Sequence, residues 1–390
     1  MRKKSILCFL LILSLLLSFT GCQKKDTVLA PVKQGGLWGY CNQKGKIKIQ
    51  PQFKQAYYFS KNGLALVQID AGEYAYIGKN GKRINDKTYE FALGYSENGL
   101  APAFDDVTGK FGYIDESGEF AIEGAYLYAY PFVDDLAVVA EEGEDGTPVY
   151  QYINEDGEPV IQGDFSAMYP FGSNGLAPAD DAHGRRGFLD KKGKWAIEPV
   201  YYNSYYSPFS NGYTQIVDED GNWGYLNGVG DVTIKPQFQL AGEFASNGLA
   251  AVQDMDGHYE YINIYGNKVI DCKDRFAQIG KFNDNGLAPV QDKRNGRWGF
   301  IDIAGTYVVK PQFKATDARF YQGLCAVQTA NGKWGFLDEQ CKFAIEPQFR
   351  EVGSFVNFEE LSLDLSTQMY QDFYRTLAGI YAQYQSGLNQ

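Results

Sequence analysis

The chain has 390 residues, with 48 acidic side chains against 36 basic ones, a formal charge of −12, 29 tyrosines and 26 phenylalanines. That balance disfavours nucleic acid as a partner, because binding there rests on Lys and Arg neutralising phosphates. It gives equally little reason for direct adhesion to anionic lipid.

Residues 1–21 read as a signal peptide rather than as part of the fold. Arg2, Lys3 and Lys4 make a basic start, and Ser5 to Phe19 is an apolar run of 15 residues. A comfortable membrane span needs about 20, so the run fits a cleaved leader. The junction Phe19-Thr20-Gly21-Cys22 resembles a bacterial lipobox, which implies that Cys22 becomes the lipidated N-terminus. Removing the leader takes three positive charges away and moves the formal charge from −12 to −15. Residues 22–34, polar with Lys24, Lys25 and Lys33, read as a tether. The expectation is a protein on the extracytoplasmic face of the cell membrane, touching the bilayer through its lipid only.

From residue 35 to 350 one unit recurs nine times. Its marker is an aromatic-Gly-aromatic core: Trp38-Gly39-Tyr40, Tyr74-Ala75-Tyr76, Phe111-Gly112-Tyr113, Tyr150-Gln151-Tyr152, Arg186-Gly187-Phe188, Trp223-Gly224-Tyr225, Tyr259-Glu260-Tyr261, Trp298-Gly299-Phe300 and Trp334-Gly335-Phe336. Successive markers lie 36 to 39 residues apart, a period that signals stacked repeats. Each unit parses into three short strands. The first is a Leu-Ala-x-Val run such as Leu287–Val290, followed by a Gly hairpin (Asn295-Gly296, Asn331-Gly332) whose residues suit a turn needing positive φ. The second carries the marker and ends in a turn such as Asp302-Ile303-Ala304-Gly305, where Asp first and Gly fourth is type I chemistry. The third alternates, as in Tyr307/Val309, and is closed by Pro-Gln-Phe at Pro51, Pro236, Pro311 and Pro347, since proline removes a ladder donor.

Trp298 and Phe300 share one strand face and Gly299 and Ile301 the other, so both faces are apolar and the strand reads as sandwiched. Pro102, Pro178 and Pro289 share a slot in the first strand, which argues against continuous pairing of that strand with the next unit. The fold class is therefore all-β: tandem three-stranded antiparallel meanders packed face to face, as a propeller or an open superhelical array. Nine units exceed the roughly four to eight blades usual in a closed propeller, so the expectation is an open superhelix or a ring with units left over. The units resemble WG (KWG-type) repeats of bacterial secreted and surface proteins. That resemblance implies an all-β array with interaction roles and no shared catalytic residues. Ala75, Gln151 and Glu260 depart from its glycine.

Residues 351–390 read as a C-terminal cap. Leu365, Met369, Phe373, Leu377 and Tyr384 recur at helical spacing behind Ser366, predicting a helix over Ser366–Gln385 that covers the last unit or docks a partner.

Candidate binding residues are the tyrosines of the connectors: Tyr126, Tyr128, Tyr130, Tyr169, Tyr201, Tyr202, Tyr205 and Tyr206. Such clusters stack on sugar faces or anchor interfaces, though packing between units explains them as well. The first hairpins are acidic, from Asp70 through Glu141, Asp180, Asp218 and Asp254 to Asp292, and would line one rim. Asp254-Met255-Asp256-Gly257 begins like a Ca²⁺ loop but lacks the closing Glu. Cys41 and Cys325 occupy apolar slots, and no Cys-x-x-Cys occurs. The two histidines, His183 and His258, stand alone, and no catalytic motif or cofactor fingerprint is present. The reading is a non-catalytic, lipid-anchored interaction scaffold of the cell envelope, with no metal or cofactor. The alternative is a carbohydrate or cell-wall binding module, with a hydrolase on a propeller-like scaffold third. Its partner is then an envelope protein or a cell-wall glycan, not nucleic acid.

Overall fold

The computed structural model describes residues 28–202 and 208–362. The leader, Cys22, Tyr205, Tyr206 and the helix expected at Ser366–Gln385 lie outside the described residues. Among those described, the strands form nine small antiparallel sheets arranged as the blades of a closed propeller. The ring closes with no unit left over.

A full blade has four strands, here a to d. Blade 8 is Phe276–Ile279, Ala288–Asp292, Trp298–Ile301 and Tyr307–Phe313. Strands b, c and d are the meander read from the repeat. Strand a is the connector, which pairs with strand b for a few residues, as Tyr128↔Ala140 and Ala129↔Val139 do in blade 4. Because strand a is short, proline in strand b is tolerated. The carbonyls of Pro102, Pro178 and Pro289 still accept the N–H of Leu93, Tyr169 and Gly280 at 2.8–3.1 Å, and only a bond to strand a is lost.

The glycine of the marker is explained by strand d. In blade 9, Trp334 pairs with Phe349 but Phe336 pairs with Ile345, so strand d carries extra residues between the two pairs. The resulting bulge folds backbone over Gly335, where a Cβ would lie 2.6 Å from the Ile345 oxygen and 2.8 Å from the Pro347 nitrogen. Real Cβ atoms do not approach so closely, and only glycine leaves the space. Blades 4 and 7, with Gln151 and Glu260 in that slot, lack the proline, and their strands pair residue for residue there: Gln151↔Gln162 with Tyr152↔Ile161, and Glu260↔Asp271 with Tyr261↔Ile270. Ala75 of blade 2 likewise has no proline bulge above it; the fourth side of that sheet is made by the isolated bridges Tyr74↔Tyr89 and Ile77↔Arg83. In blade 3 Gly124 takes the proline's place and the bulge still lies over Gly112, so the marker glycine goes with the bulge, which proline usually accompanies.

Blades meet through aromatic pairs. The second aromatic of each marker packs on an aromatic of the next blade: Tyr40–Phe59, Tyr76–Tyr95, Tyr113–Phe132, Tyr152–Phe171, Phe188–Phe209, Tyr225–Phe244, Tyr261–Phe282, Phe300–Phe320 and Phe336–Phe355, with centroids 4.7–5.8 Å apart. Six of these are tyrosines whose hydroxyl donates to a connector carbonyl of the neighbour at 2.5–2.7 Å, as Tyr40 does to Tyr57. Burial pushes the pKa of Tyr40, Tyr76, Tyr113, Tyr225 and Tyr261 upward, so the donor proton stays on.

Closure corrects the two ends of the sequence reading. Ala30–Gln34, read as tether, is strand b of blade 1. Its free edge is filled from the far end of the chain by Glu351–Val352, paired Val32↔Val352 and Lys33↔Glu351. The Lys33 ammonium donates to Glu351 at 3.0 Å across 318 residues of sequence. A tether need not satisfy its backbone groups; a strand beside an open edge can, and that decides the matter. The terminal segment then forms the short helix Phe358–Ser362. Phe358 is buried against Gly94, and Glu359 accepts the backbone N–H of Lys61 at 2.7 Å. All four cysteines among the described residues are free thiols, with Cys41, Cys272 and Cys325 buried.

Candidate functional site

A cavity of about 500 Å³ opens where blades 1, 2 and 3 meet the closing segment. Strand a of blade 2, Gln55–Phe59, runs along it and contributes Gln55, Tyr57 and Tyr58. Trp38 comes from blade 1, Gln68 and Tyr74 from blade 2, and Phe91 from the entry to blade 3. Gly353 and Phe358 complete the wall. Rings succeed one another from blade to blade: Tyr57 to Tyr74 at 6.3 Å and Tyr74 to Phe91 at 6.5 Å. The Lys33 ammonium lies 5.5 Å from the Trp38 ring. Trp38 is 7% exposed, and its indole N–H has no hydrogen-bond partner. Tyr58 is fixed by the N–H of Ser354, which donates to its hydroxyl at 3.3 Å, and burial pushes the phenol up to about 12.

The connector tyrosines are mostly interior. Pairing of the connector with strand b turns alternate side chains into the blade interface, so Tyr126 and Tyr130 are buried, and Tyr128 and Tyr169 pack against the same core. Tyr169 is covered by the Arg186 guanidinium at 4.5 Å. Tyr201 is partly buried against Phe188 and its neighbours, and Tyr202 is exposed. Packing between units, which the sequence also offered, accounts for Tyr126, Tyr128, Tyr130, Tyr169 and Tyr201 and leaves Tyr202 exposed.

The acidic hairpins do not form an uninterrupted rim. Asp105 is buried and accepts from Thr108; Asp181 accepts a bidentate pair from Arg185, and Asp180 holds the buried Arg186. Asp254, Asp256 and His258 bring ligand atoms within 4.8 Å of one another. Yet the Asp254 carboxylate is used by its own turn, accepting the N–H groups of Asp256 and His258 at 3.0 and 2.8 Å. Asp218 and Asp181 do the same in their hairpins, so the cluster is ordinary hairpin geometry. His183 is exposed beside Asp181 at 3.8 Å. These hydrogen bonds hold the Asp181 and Asp254 carboxyls below their usual range. Sequence reasoning missed the cavity because Trp38 and Gln68 look like any other members of the repeat; the one available signal was the double Gln slot at Gln55 and Gln68.

In solved structures the chain is similar to the computationally designed Ika8 protein (11% identity, 74% of this chain and 96% of that one, TM-score 0.41). It is similar also to BamB from Moraxella catarrhalis (12%, 72% and 90%, TM-score 0.41). A third likeness is to dihydro-heme d1 dehydrogenase NirN (10%, 86% and 76%, TM-score 0.48). No curated protein matches the chain. The model of the WG containing repeat matches residues 38–71, 111–144, 152–179, 187–222, 223–259, 298–334 and 334–357. Its gaps fall on Ala75 and Glu260, and its third segment starts just after Gln151, the three places where glycine and its bulge are absent. With more than half of its length matched in this way, the chain belongs to the WG containing repeat family.

Proposed function

We propose that this propeller is a non-catalytic interaction scaffold held at the extracytoplasmic face of a bacterial cell membrane by a lipid on Cys22. The observation that supports it is the spacing of two features. A basic start, an apolar run and Thr20-Gly21-Cys22 stand directly ahead of a ring whose first strand begins at Ala30. The eight residues from Cys22 to Ala30 reach at most about 30 Å when extended, so the ring would ride close to the bilayer, one face toward the envelope. Nine blades present a broad, multi-sided surface, which suits protein partners. The test is Cys22→Ser in the native cell. The wild type should partition with membranes and carry an acylated N-terminal cysteine by mass spectrometry, and the variant should appear in the soluble or secreted fraction. An unmodified Cys22 in mature protein would overturn the anchor. Cross-linking on intact cells then supplies the partner. Saccharide binding is the second reading; the cavity favours it more than the connector tyrosines do.

A further inference from the structure

We propose that the cavity between blades 1, 2 and 3 binds an uncharged saccharide. This goes beyond the scaffold reading and does not depend on the lipid anchor.

The first argument is charge. Among the described residues, no Asp, Glu, Lys or Arg side chain lines this cavity. The nearby Lys33 ammonium, 5.5 Å from the Trp38 ring, is already paired with Glu351 at 3.0 Å, so a charged ligand would be stripped of water beside no uncommitted counter-charge. The volume of about 500 Å³ lies inside the range of small-molecule sites.

The second argument is uncommitted hydrogen-bonding capacity. The amides of Gln55 and Gln68 make no hydrogen bond to the described residues. Gln68 is informative because its slot recurs. In blades 7, 8 and 9 the same position holds Gln253, Gln291 and Gln328, and each donates to the glycine carbonyl of its own hairpin at 2.9, 3.1 and 3.1 Å. Only in blade 2 is the amide left open, and there it faces the cavity. Two amides, each with donors and an acceptor, match the alternating donor–acceptor hydroxyls of a neutral sugar.

The third argument is shape. The row Tyr57, Tyr74 and Phe91 sets rings 6.3 and 6.5 Å apart, inclined to one another by 43° and 60°, an aromatic wall in which a single ring offers its face to the C–H side of a pyranose. The far wall, Gly353 and Phe358, exists only when the ring is closed. Ligand therefore stabilises the closed form by mass action.

The test uses the mature full-length protein and calorimetric titration with maltotriose, cellotriose, the trimer of N-acetylglucosamine and a trigalacturonate control. At least one neutral trisaccharide should bind at a single site and raise the melting temperature. Gln68→Ala and Gln55→Ala should each weaken it about tenfold or more, the loss of one well-placed hydrogen bond. Gln253→Ala, the same slot in blade 7, should leave binding unchanged. Both cavity glutamines are only partly buried, so their replacement leaves the fold intact. The proposal is overturned if no neutral saccharide binds, if binding survives Gln68→Ala, or if the uronate binds equally well. Any of these outcomes leaves the scaffold reading standing.

Discussion

At the scale of the residue, the glycine of the marker is the clearest case of sequence and structure meeting. The glycine and the downstream proline were both legible, but as separate features, one in a strand and one closing a strand. Their dependence was not, because it runs through a bulge that exists only once strands c and d have paired. Gly335→Ala should therefore cost about 1–3 kcal/mol, the usual penalty for overpacking, toward the upper end because the obstacle is backbone and cannot rotate away. In a urea titration the midpoint should fall. Replacing Ala75 by Gly in blade 2, where no bulge sits above the residue, should instead change stability by no more than the flexibility of glycine in a strand, about 1 kcal/mol. Equal effects at the two sites would show that the bulge is not what selects glycine.

At the scale of the element, the period located strands b and c in every unit and strand d in all but blade 2, where isolated bridges stand in its place, and it missed strand a. Strand a is as short as two residues in Tyr128–Ala129 and Leu240–Ala241, too brief to show alternation. Its tyrosines read from the sequence either as binding candidates or as packing, and pairing makes several of them core. Blade 5 shows how one element departs from the pattern without losing the fold. Arg186 stands in the tryptophan slot, 1% exposed, with Asp180 opposite it on strand b and Tyr169 against its flat face. Asp180 occupies the slot held by Gln68, Gln253 and Gln291 elsewhere, so aspartate and arginine have replaced glutamine and tryptophan together. Arg186→Ala should destabilise by about 3–5 kcal/mol, since it leaves a carboxylate without its ion partner in a low-dielectric site. The double variant Asp180→Gln with Arg186→Trp, which restores the residues of the other blades, should recover most of that loss. Thermal melts of both variants check it, and a double variant as weak as Arg186→Ala would mean that blade 5 has been shaped around the ion pair.

At the scale of the whole molecule, closure was the least legible feature, because it rests on two residues, Glu351 and Val352, meeting a strand 318 positions away. The repeat period says how units stack and nothing about whether the stack returns to its start. The junction is held by a polar chain beside that strand. Ser354 donates its hydroxyl to Asp317 of blade 9 at 2.7 Å and its N–H to Tyr58 of blade 2 at 3.3 Å. Asp317 also accepts the Ala326 N–H at 3.0 Å and the Cys325 thiol at 3.2 Å. Burial outweighs these donors and pushes Asp317 up to about 6, while the Cys325 thiol is pushed up as well and stays protonated. A carboxyl with a raised pKa binds its proton more tightly in the folded state than in the unfolded one. Its contribution to stability is therefore largest below pH 3.8 and is lost as pH rises to about 6, by an amount on the order of 3 kcal/mol. Hairpin carboxylates such as Asp181 and Asp254 shift the other way and mask this in the wild type alone. Comparison with Asp317→Asn isolates it: the wild type's advantage in melting temperature should shrink between pH 4 and pH 7. A difference that stays constant across that range would place the titration elsewhere. Removing residues 351–362 should abolish the pH-dependent term together with closure, and hydrogen exchange at Lys33, whose backbone faces the closing strand, should rise toward that of an unpaired edge.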